Sequence, residues 1–387
     1  MDSPRKSKQL HIDKEALNAL TLLQEGLLYP IDTLMSQKQA LEVEQTGMYK
    51  NQSCPYPFLL TPGGKRNEAV LEGARRDEKL ELVCEGQVVG GITTGEIFEI
   101  NAKQKTLHSA IEEKEEGSKI GKYALEGALW LKDSPLKPYK DLVAEKKQKL
   151  QAKNITGIVF GANPLHRVHE KILRDEFCDA DLIVVFLLRF HQGDFLDFEL
   201  RKQCLELVLK NFLASEKICI IPLDATYLFF GRDKIVFYSL IAKNYGCTKI
   251  VLGQKTLGLS VFHNQQTKHT ALQSLQKIGI EAKILDEYAY CTKCRCLLNT
   301  TSCPHGKHHH IAYKSHAILQ FFKMGIMPPT ILMRKEVSAL VLKALYPSRT
   351  ENMKSIYYNI LPSDGIFSED IQEDFYTKLI ELYRIRN

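Results

Sequence analysis

Ile155-Thr156-Gly157-Ile158-Val159-Phe160-Gly161-Ala162-Asn163-Pro164-Leu165-His166-Arg167-Val168-His169-Glu170 is the stretch from which the fold is read. An apolar run ends at Phe160, Gly161 permits a tight turn, and Pro164 suits the first turn of a helix. The spacing therefore predicts a strand over Ile155–Phe160 and a helix over Leu165–Phe177. His166 and His169, three residues apart, share one face of that helix's first turns. A helix N-terminus presents unpaired N–H groups and partial positive charge. Two imidazoles placed there can donate to phosphate oxygens and stabilise charge that develops during transfer of a phosphoryl or nucleotidyl group. A surface helix that merely carries two histidines is the bland alternative. The strand–Gly–Asn–Pro–helix context weighs against it.

Working outward, strand candidates at Asp181–Leu188, Lys217–Leu223, Lys249–Gly253 and Glu281–Leu285 alternate with helical stretches Phe198–Ala214, Lys234–Tyr245 and Gln266–Ile278. This alternation predicts an α/β domain, a parallel sheet with helices on both faces, which takes ligands at the carboxyl ends of its strands. Residues 10–150 read differently. Short apolar runs (Tyr56–Leu60, Leu80–Cys84, Glu96–Ile100) are punctuated by Gly63-Gly64, Gly90-Gly91 and Gly95, which predicts a small β-rich domain of antiparallel strands with a helix near 13–27. Trp130 is assigned to its core, and the lysine-rich Asp141–Lys153 reads as a helical linker. Beyond 310 come helical stretches Ile311–Met324 and Lys335–Leu345, then an amphipathic Ile371–Tyr383 that could be an oligomerisation helix or a packed appendage. The domain boundaries implied are 1–153, 154–310 and 311–387.

Composition narrows the class. The 387 residues are 44% hydrophobic and 25% charged, ordinary for a soluble globular protein and unlike a disordered, collagenous or membrane-bundle chain. No run of ~18 apolar residues occurs, and the N-terminus lacks a signal-peptide core, so a cytoplasmic protein with no membrane partner is expected. Net charge is +6, from 52 basic and 46 acidic residues. That is mild: it fits an anionic ligand without calling for nucleic acid. Asp194, Asp197 and Glu199 read as caps for the helix at Phe198. Four of the ten cysteines lie between Cys291 and Cys303. Cys291, Cys294 and Cys303, with one of His305, His308, His309 or His310, make a closed zinc site of three thiolates and an imidazole. His308 is favoured, then His309 or His305; Cys296 is spare. A closed site leaves no position for water, so the zinc is structural. Free thiols beside a histidine-rich loop are the bland reading.

The Asn163-Pro164-x-His166-Arg167-x-His169-Glu170 segment resembles the Gln-x-Arg-Asn-Pro-x-His-Arg-x-His-Glu motif of ATP sulfurylases. Lys243-Asn244-Tyr245-Gly246-Cys247-Thr248 is similar to a downstream stretch of that family. Gly26-Leu27-Leu28-Tyr29-Pro30 with Met35 is similar to a segment of its PUA-like N-terminal domain. The resemblance spans about residues 15 to 345. It implies a Rossmann-like nucleotidyltransferase domain, preceded by a PUA-like domain and followed by a small helical C-terminal region. It also implies AMP transfer from ATP, with Mg2+, to sulfate and release of pyrophosphate. His166 and His169 would bind the phosphates, Asn163 would orient a phosphate oxygen, and Arg167 would add charge. A comparable Cys-x2-Cys-x8-Cys site with a histidine occurs in some bacterial and archaeal members.

The departures fall on the acceptor side. The family's Gln and Arg before Asn-Pro are Phe160 and Ala162 here, and its later arginine positions read Tyr227 and Gln254. A dehydrated dianion needs several charge-assisted donors, each worth ~1.5–3 kcal/mol. Arg232 and Lys255, beside Gly253 and Gln254, are candidate replacements. The acceptor is therefore sulfate or another small oxyanion or carboxylate; a non-catalytic nucleotide-binding relative is the alternative. A homo-oligomer stays open.

Overall fold

A computed structural model describes residues 8–54, 57–100, 120–190, 196–213, 215–224, 233–253 and 278–348. Arg232, Gln254, Lys255, the helix expected over Gln266–Ile278 (save Ile278 itself) and the tail helix expected over Ile371–Tyr383 lie outside the described residues. By compactness the chain divides into two units, Met1–Val159 with Leu223–Ile284, and Phe160–Pro222 with Leu285–Asn387.

The N-terminal elements are β1 (Lys8–His11), α1 (Lys14–Gln24), α2 (Gln37–Thr46), β2 (Met48–Tyr49), β3 (Gln52–Ser53), β4 (Leu60–Pro62), α3 (Lys65–Glu72), β5 (Lys79–Cys84), β6 (Gln87–Glu99), β7 (Ile120–Leu131) and α4 (Lys137–Lys149). Asp13 caps α1 by accepting from the Ala16 amide, and Gly47, at φ 66°, ends α2 in the left-handed conformation that glycine adopts without strain. Five strands form a sheet of order β1-β5-β6-β7-β4. β5–β6, β6–β7 and β4–β7 are antiparallel, as expected, whereas β1–β5 is parallel.

Gly90 and Gly91, read as turn residues, lie inside β6. A Cβ at Gly90 would sit 2.3 Å from the Trp130 carbonyl, and one at Gly91 would sit 2.9 Å from the indole nitrogen. The glycines therefore make room for a neighbouring strand and its tryptophan. Trp130 itself is 48% exposed rather than core, because β7 turns that face outward.

The remaining elements are β8 (Ile155–Phe160), α5 (Arg167–Phe177), β9 (Leu182–Arg189), α6 (Phe198–Phe212), β10 (Ile218–Asp224), α7 (Asp233–Asn244), β11 (Lys249–Gly253), β12 (Glu281–Leu285), β13 (Tyr288–Cys291), β14 (Cys296–Asn299), β15 (His310–Ala312), α8 (Ser315–Lys323) and α9 (Lys335–Leu345). All six residues of β8 are buried, the pattern of a strand covered on both faces. It pairs in parallel with β11, Thr156 opposite Lys249 and Ile158 opposite Val251. The strand order β10-β9-β8-β11-β12 starts at a central strand and is extended to one side and then the other. That is the doubly wound arrangement, whose ligand position is the carboxyl end of the strands at the point of reversal.

Two local readings change. α5 begins at Arg167 rather than Leu165, because His166 is still extended (φ −134°, ψ 175°) and serves as the N-cap. Ile311 and Ala312 are not helical: they pair with Tyr290 and Ala289 as part of β15, and the helix waits until Ser315.

Candidate functional site

The turn after β8 is held from within. Arg201 of α6 is 1% exposed, and its Nη1 donates to the carbonyls of Gly161 (2.6 Å) and Leu188 (2.8 Å) while Nε donates to that of Leu196 (3.0 Å). Three carbonyls satisfy a guanidinium that has little contact with water. Burial lowers its pKa to about 10, which leaves it charged at neutral pH. Asn163 completes the tie: its Oδ1 accepts from the Leu196 amide at 2.8 Å. The positive φ in this turn falls on Ala162 (45°), not on Gly161, and the Ala162 methyl is buried. Arg201 was not singled out from the sequence. Its signal was available, since it stands on the buried face of α6 with Leu200, Cys204 and Leu205.

The two histidines come together as their spacing implied. Their ring centroids lie 4.1 Å apart at the start of α5. The His166 amide donates to His169 Nδ1 at 3.1 Å, and the His169 amide donates back to the His166 carbonyl at 2.9 Å. The imidazole at the third helical position thus does what Glu or Gln does in a capping box. Phe160 packs edge-on against His169 at 4.9 Å, Tyr313 lies 5.5 Å from His166, and Ser315 Oγ is 3.4 Å from His166 Nε2.

Burial holds the His169 pKa down at about 4, against a smaller upward pull from its bond to His166. A ring that accepts at Nδ1 and is neutral at pH 7 carries its proton on Nε2. His169 can therefore donate one hydrogen bond to a ligand but contributes no charge. The same shift sets a pH dependence. The unfolded histidine protonates near 6.5 and the folded one near 4, so its stabilising contribution is complete above 6.5 and is lost as pH falls through 4. Up to about 3 kcal/mol is expected to disappear across that window. Urea titrations from pH 7 to 4 should show it in the wild type and a flatter profile in His169→Gln; parallel profiles would remove the assignment.

Arg167 is turned toward its own chain. Its Nε donates to the Thr330 carbonyl at 3.2 Å, its Nη1 lies 3.7 Å from the Glu170 carboxylate, and its backbone amide donates to the Leu332 carbonyl at 2.9 Å. Glu170, 5% exposed, takes a second arginine: Arg334 Nε lies 2.7 Å from Oε2, and that guanidinium rests on the Phe212 ring at 3.6 Å. Arg334 too was missed from the sequence. Phe160 and Ala162 are both buried, and Gly253 ends β11.

A second cluster sits at the β13–β14 hairpin. Cys291, Cys294, Cys303 and His305 place their ligand atoms within 4.8 Å of one another. Cys294 Sγ lies 3.9 Å from Cys303 Sγ, and His305 Nδ1 lies 3.6, 3.2 and 3.8 Å from the sulfurs of Cys291, Cys294 and Cys303. Sulfurs at ~2.3 Å from a tetrahedral zinc stand ~3.8 Å apart, so the donor set fits that metal. His305 is the imidazole gathered with the thiols; the favoured His308 instead packs at a tilt beside His309, ring centroids 4.1 Å apart. Gly306 separates the two: a Cβ there would meet the His308 ring at 2.8 Å.

The strand order, with a polar turn at the carboxyl end of the central strand, defines a doubly wound α/β protein. The family model for ATP-sulfurylase matches residues 137–344, more than half of the chain, and the chain belongs to that family. The sulfate adenylyltransferase of Symbiobacterium thermophilum is 23% identical over 364 residues, 89% of this chain and 91% of that protein. That of Carboxydothermus hydrogenoformans is 29% identical over 190 residues, 48% of this chain and 49% of the relative. A solved structure described as the hexameric APS kinase from Thiobacillus denitrificans shares the fold, with a TM-score of 0.64 at 15% identity, over 98% of this chain and 78% of that one. Among the described residues no helix is long and apolar enough to cross a membrane.

Proposed function

We propose that the protein is a nucleotidyltransferase that moves AMP from ATP to a small oxyanion or carboxylate and releases pyrophosphate. The observation that carries the reading is the Asn163–Glu170 segment at the carboxyl end of β8, with His166 and His169 joined across the first turn of α5 in a member of the ATP-sulfurylase family. In this reading an acceptor oxygen attacks the α-phosphorus in line and pyrophosphate leaves with the electron pair of the broken bond. Asn163, His166 and neutral His169 position the triphosphate by donating to its oxygens. Arg201 keeps the turn rigid, so little reorganisation is needed as charge develops. Mg2+ bound with the triphosphate would offset part of its charge. Arg232, Gly253, Gln254 and Lys255 remain candidates for the nucleotide and acceptor contacts. Cys291, Cys294, Cys303 and His305 would hold a structural zinc.

The acceptor side supports a departure from sulfate. Phe160 and Ala162, where the family's Gln and Arg stand, are buried apolar groups, and a dianion gains nothing from either. The test is pyrophosphate release from Mg-ATP with sulfate, and in parallel with a panel of other oxyanions and carboxylates. Release with any acceptor supports transfer and names the class. No release with every acceptor, alongside ATP binding by calorimetry, would replace this reading with a non-catalytic nucleotide-binding protein. Phe160→Gln with Ala162→Arg should raise sulfate-dependent release at least tenfold; an unchanged rate would show that the acceptor pocket has diverged beyond these two positions.

A further inference from the structure

Every sequence-derived candidate for phosphate contact lies before residue 256, yet the helix that carries the two histidines is clamped from a segment some 160 residues downstream. Three hydrogen bonds make the clamp, and a fourth steadies its downstream side. Arg334 Nε donates to Glu170 Oε2 at 2.7 Å; the Arg167 amide donates to the Leu332 carbonyl; Arg167 Nε donates to the Thr330 carbonyl; and the Tyr313 hydroxyl, whose ring lies beside His166, donates to the Ile331 carbonyl at 2.6 Å. The clamp is well enclosed. The Glu170 side chain is 7% exposed and that of Arg334 17%, with the guanidinium over the Phe212 ring.

We propose that Arg334 and Glu170 are a positioning pair for the His166/His169 site, a proposal that rests on the nucleotidyl-transfer reading for its functional meaning. Glu170 follows His169 directly and lies one turn beyond His166, so the carboxylate's place fixes the rotation of α5's first turn and with it both imidazoles. Arg334 supplies what Glu170 needs, a planar donor with fixed direction, and its contact with the Phe212 ring limits its alternative rotamers. Glu170 in turn shares its carboxylate with Arg167. That guanidinium is thereby kept at the Thr330 carbonyl and away from the space over the helix start. The pair acts on the histidines and touches no substrate.

The test compares Arg334→Gln, Glu170→Gln, the double variant and the conservative Arg334→Lys with wild type. Pyrophosphate release, melting temperature and the imidazole NMR signals of His166 and His169 are read for each. Each Gln variant should lose at least tenfold in kcat with the KM for ATP changed less than threefold. The double variant should lose no more than the worse single one, since the two residues form one device. Arg334→Lys should recover part of kcat, and the imidazole signals should move in each Gln variant while it stays folded. Wild-type turnover in either Gln variant, losses that multiply in the double, or losses that follow melting temperature with the imidazole signals unmoved would each overturn the pair. If the wild type proves inert with every acceptor, the nucleotidyl-transfer reading falls, and the imidazole signals alone decide: moved signals keep the pair as a positioning device, unmoved signals end it.

Discussion

His166→Ala is expected to lower nucleotide turnover by about 10²–10³-fold, the range seen when one preorganised donor to a developing charge is removed. The protein should stay folded. His166 caps α5 through its backbone carbonyl and amide, which the substitution keeps, while its ring approaches Ser315 at 3.4 Å and packs beside His169 and Tyr313. A stability loss of about 1–2 kcal/mol is the expected scale. Steady-state release of pyrophosphate, measured beside circular dichroism and melting, checks both halves. Undiminished turnover in a folded variant would remove His166 from the site. Loss of turnover together with loss of fold would be resolved by His166→Asn, which keeps a donor of similar reach and should retain measurable rate.

The arrangement around that residue shows what sequence can and cannot convey. β8 and its helix were legible because a six-residue run buried on both faces, followed by Gly and Pro, leaves few alternatives. The histidine pair was legible as three residues apart at a helix start, although what brings the rings together is the N-cap geometry of extended His166 with His169 at the third helical position. The protonation state of His169 was not. It follows from the His166 amide pointing at Nδ1 and from burial, both properties of three-dimensional packing. Arg201 and Arg334 escaped for a related reason. Helical spacing places Arg201 on a buried face, but its partner carbonyls 5, 13 and 40 residues away, like the carboxylate 164 residues from Arg334, have no local signature. Gly90, Gly91 and Trp130 went the other way, because close approach of two strands and a turn both call for glycine. The sequence ranked the histidines after Cys303 by spacing alone. Spacing does not know that Gly306 lets the chain turn His308 away while His305 stays with the thiols.

That hairpin carries the other large expected effect. The sheet β14-β13-β15 has strands of four, four and three residues, and most of β14 and β15 is at least partly exposed. So small a sheet has too little buried apolar surface to hold itself. Ala289 and Cys291 are its only fully covered positions among the described residues. A metal gathered by three thiolates and an imidazole would supply what the core does not, since binding to a site absent from the unfolded chain is itself folding free energy. The purified protein should carry about one zinc per chain. Chelation or Cys294→Ser should cost about 3 kcal/mol or more, with loss of the metal, whereas exposed Cys296→Ser should change neither. His305→Ala should lose the metal and His308→Ala should keep it. Ser315 and Tyr313, which approach His166, follow β15 within three residues, so metal loss should also lower turnover in protein that remains folded. A stable, metal-free wild type, or equal metal loss in the Cys294 and Cys296 variants, would show that the hairpin is held by packing and that its four donors are free side chains.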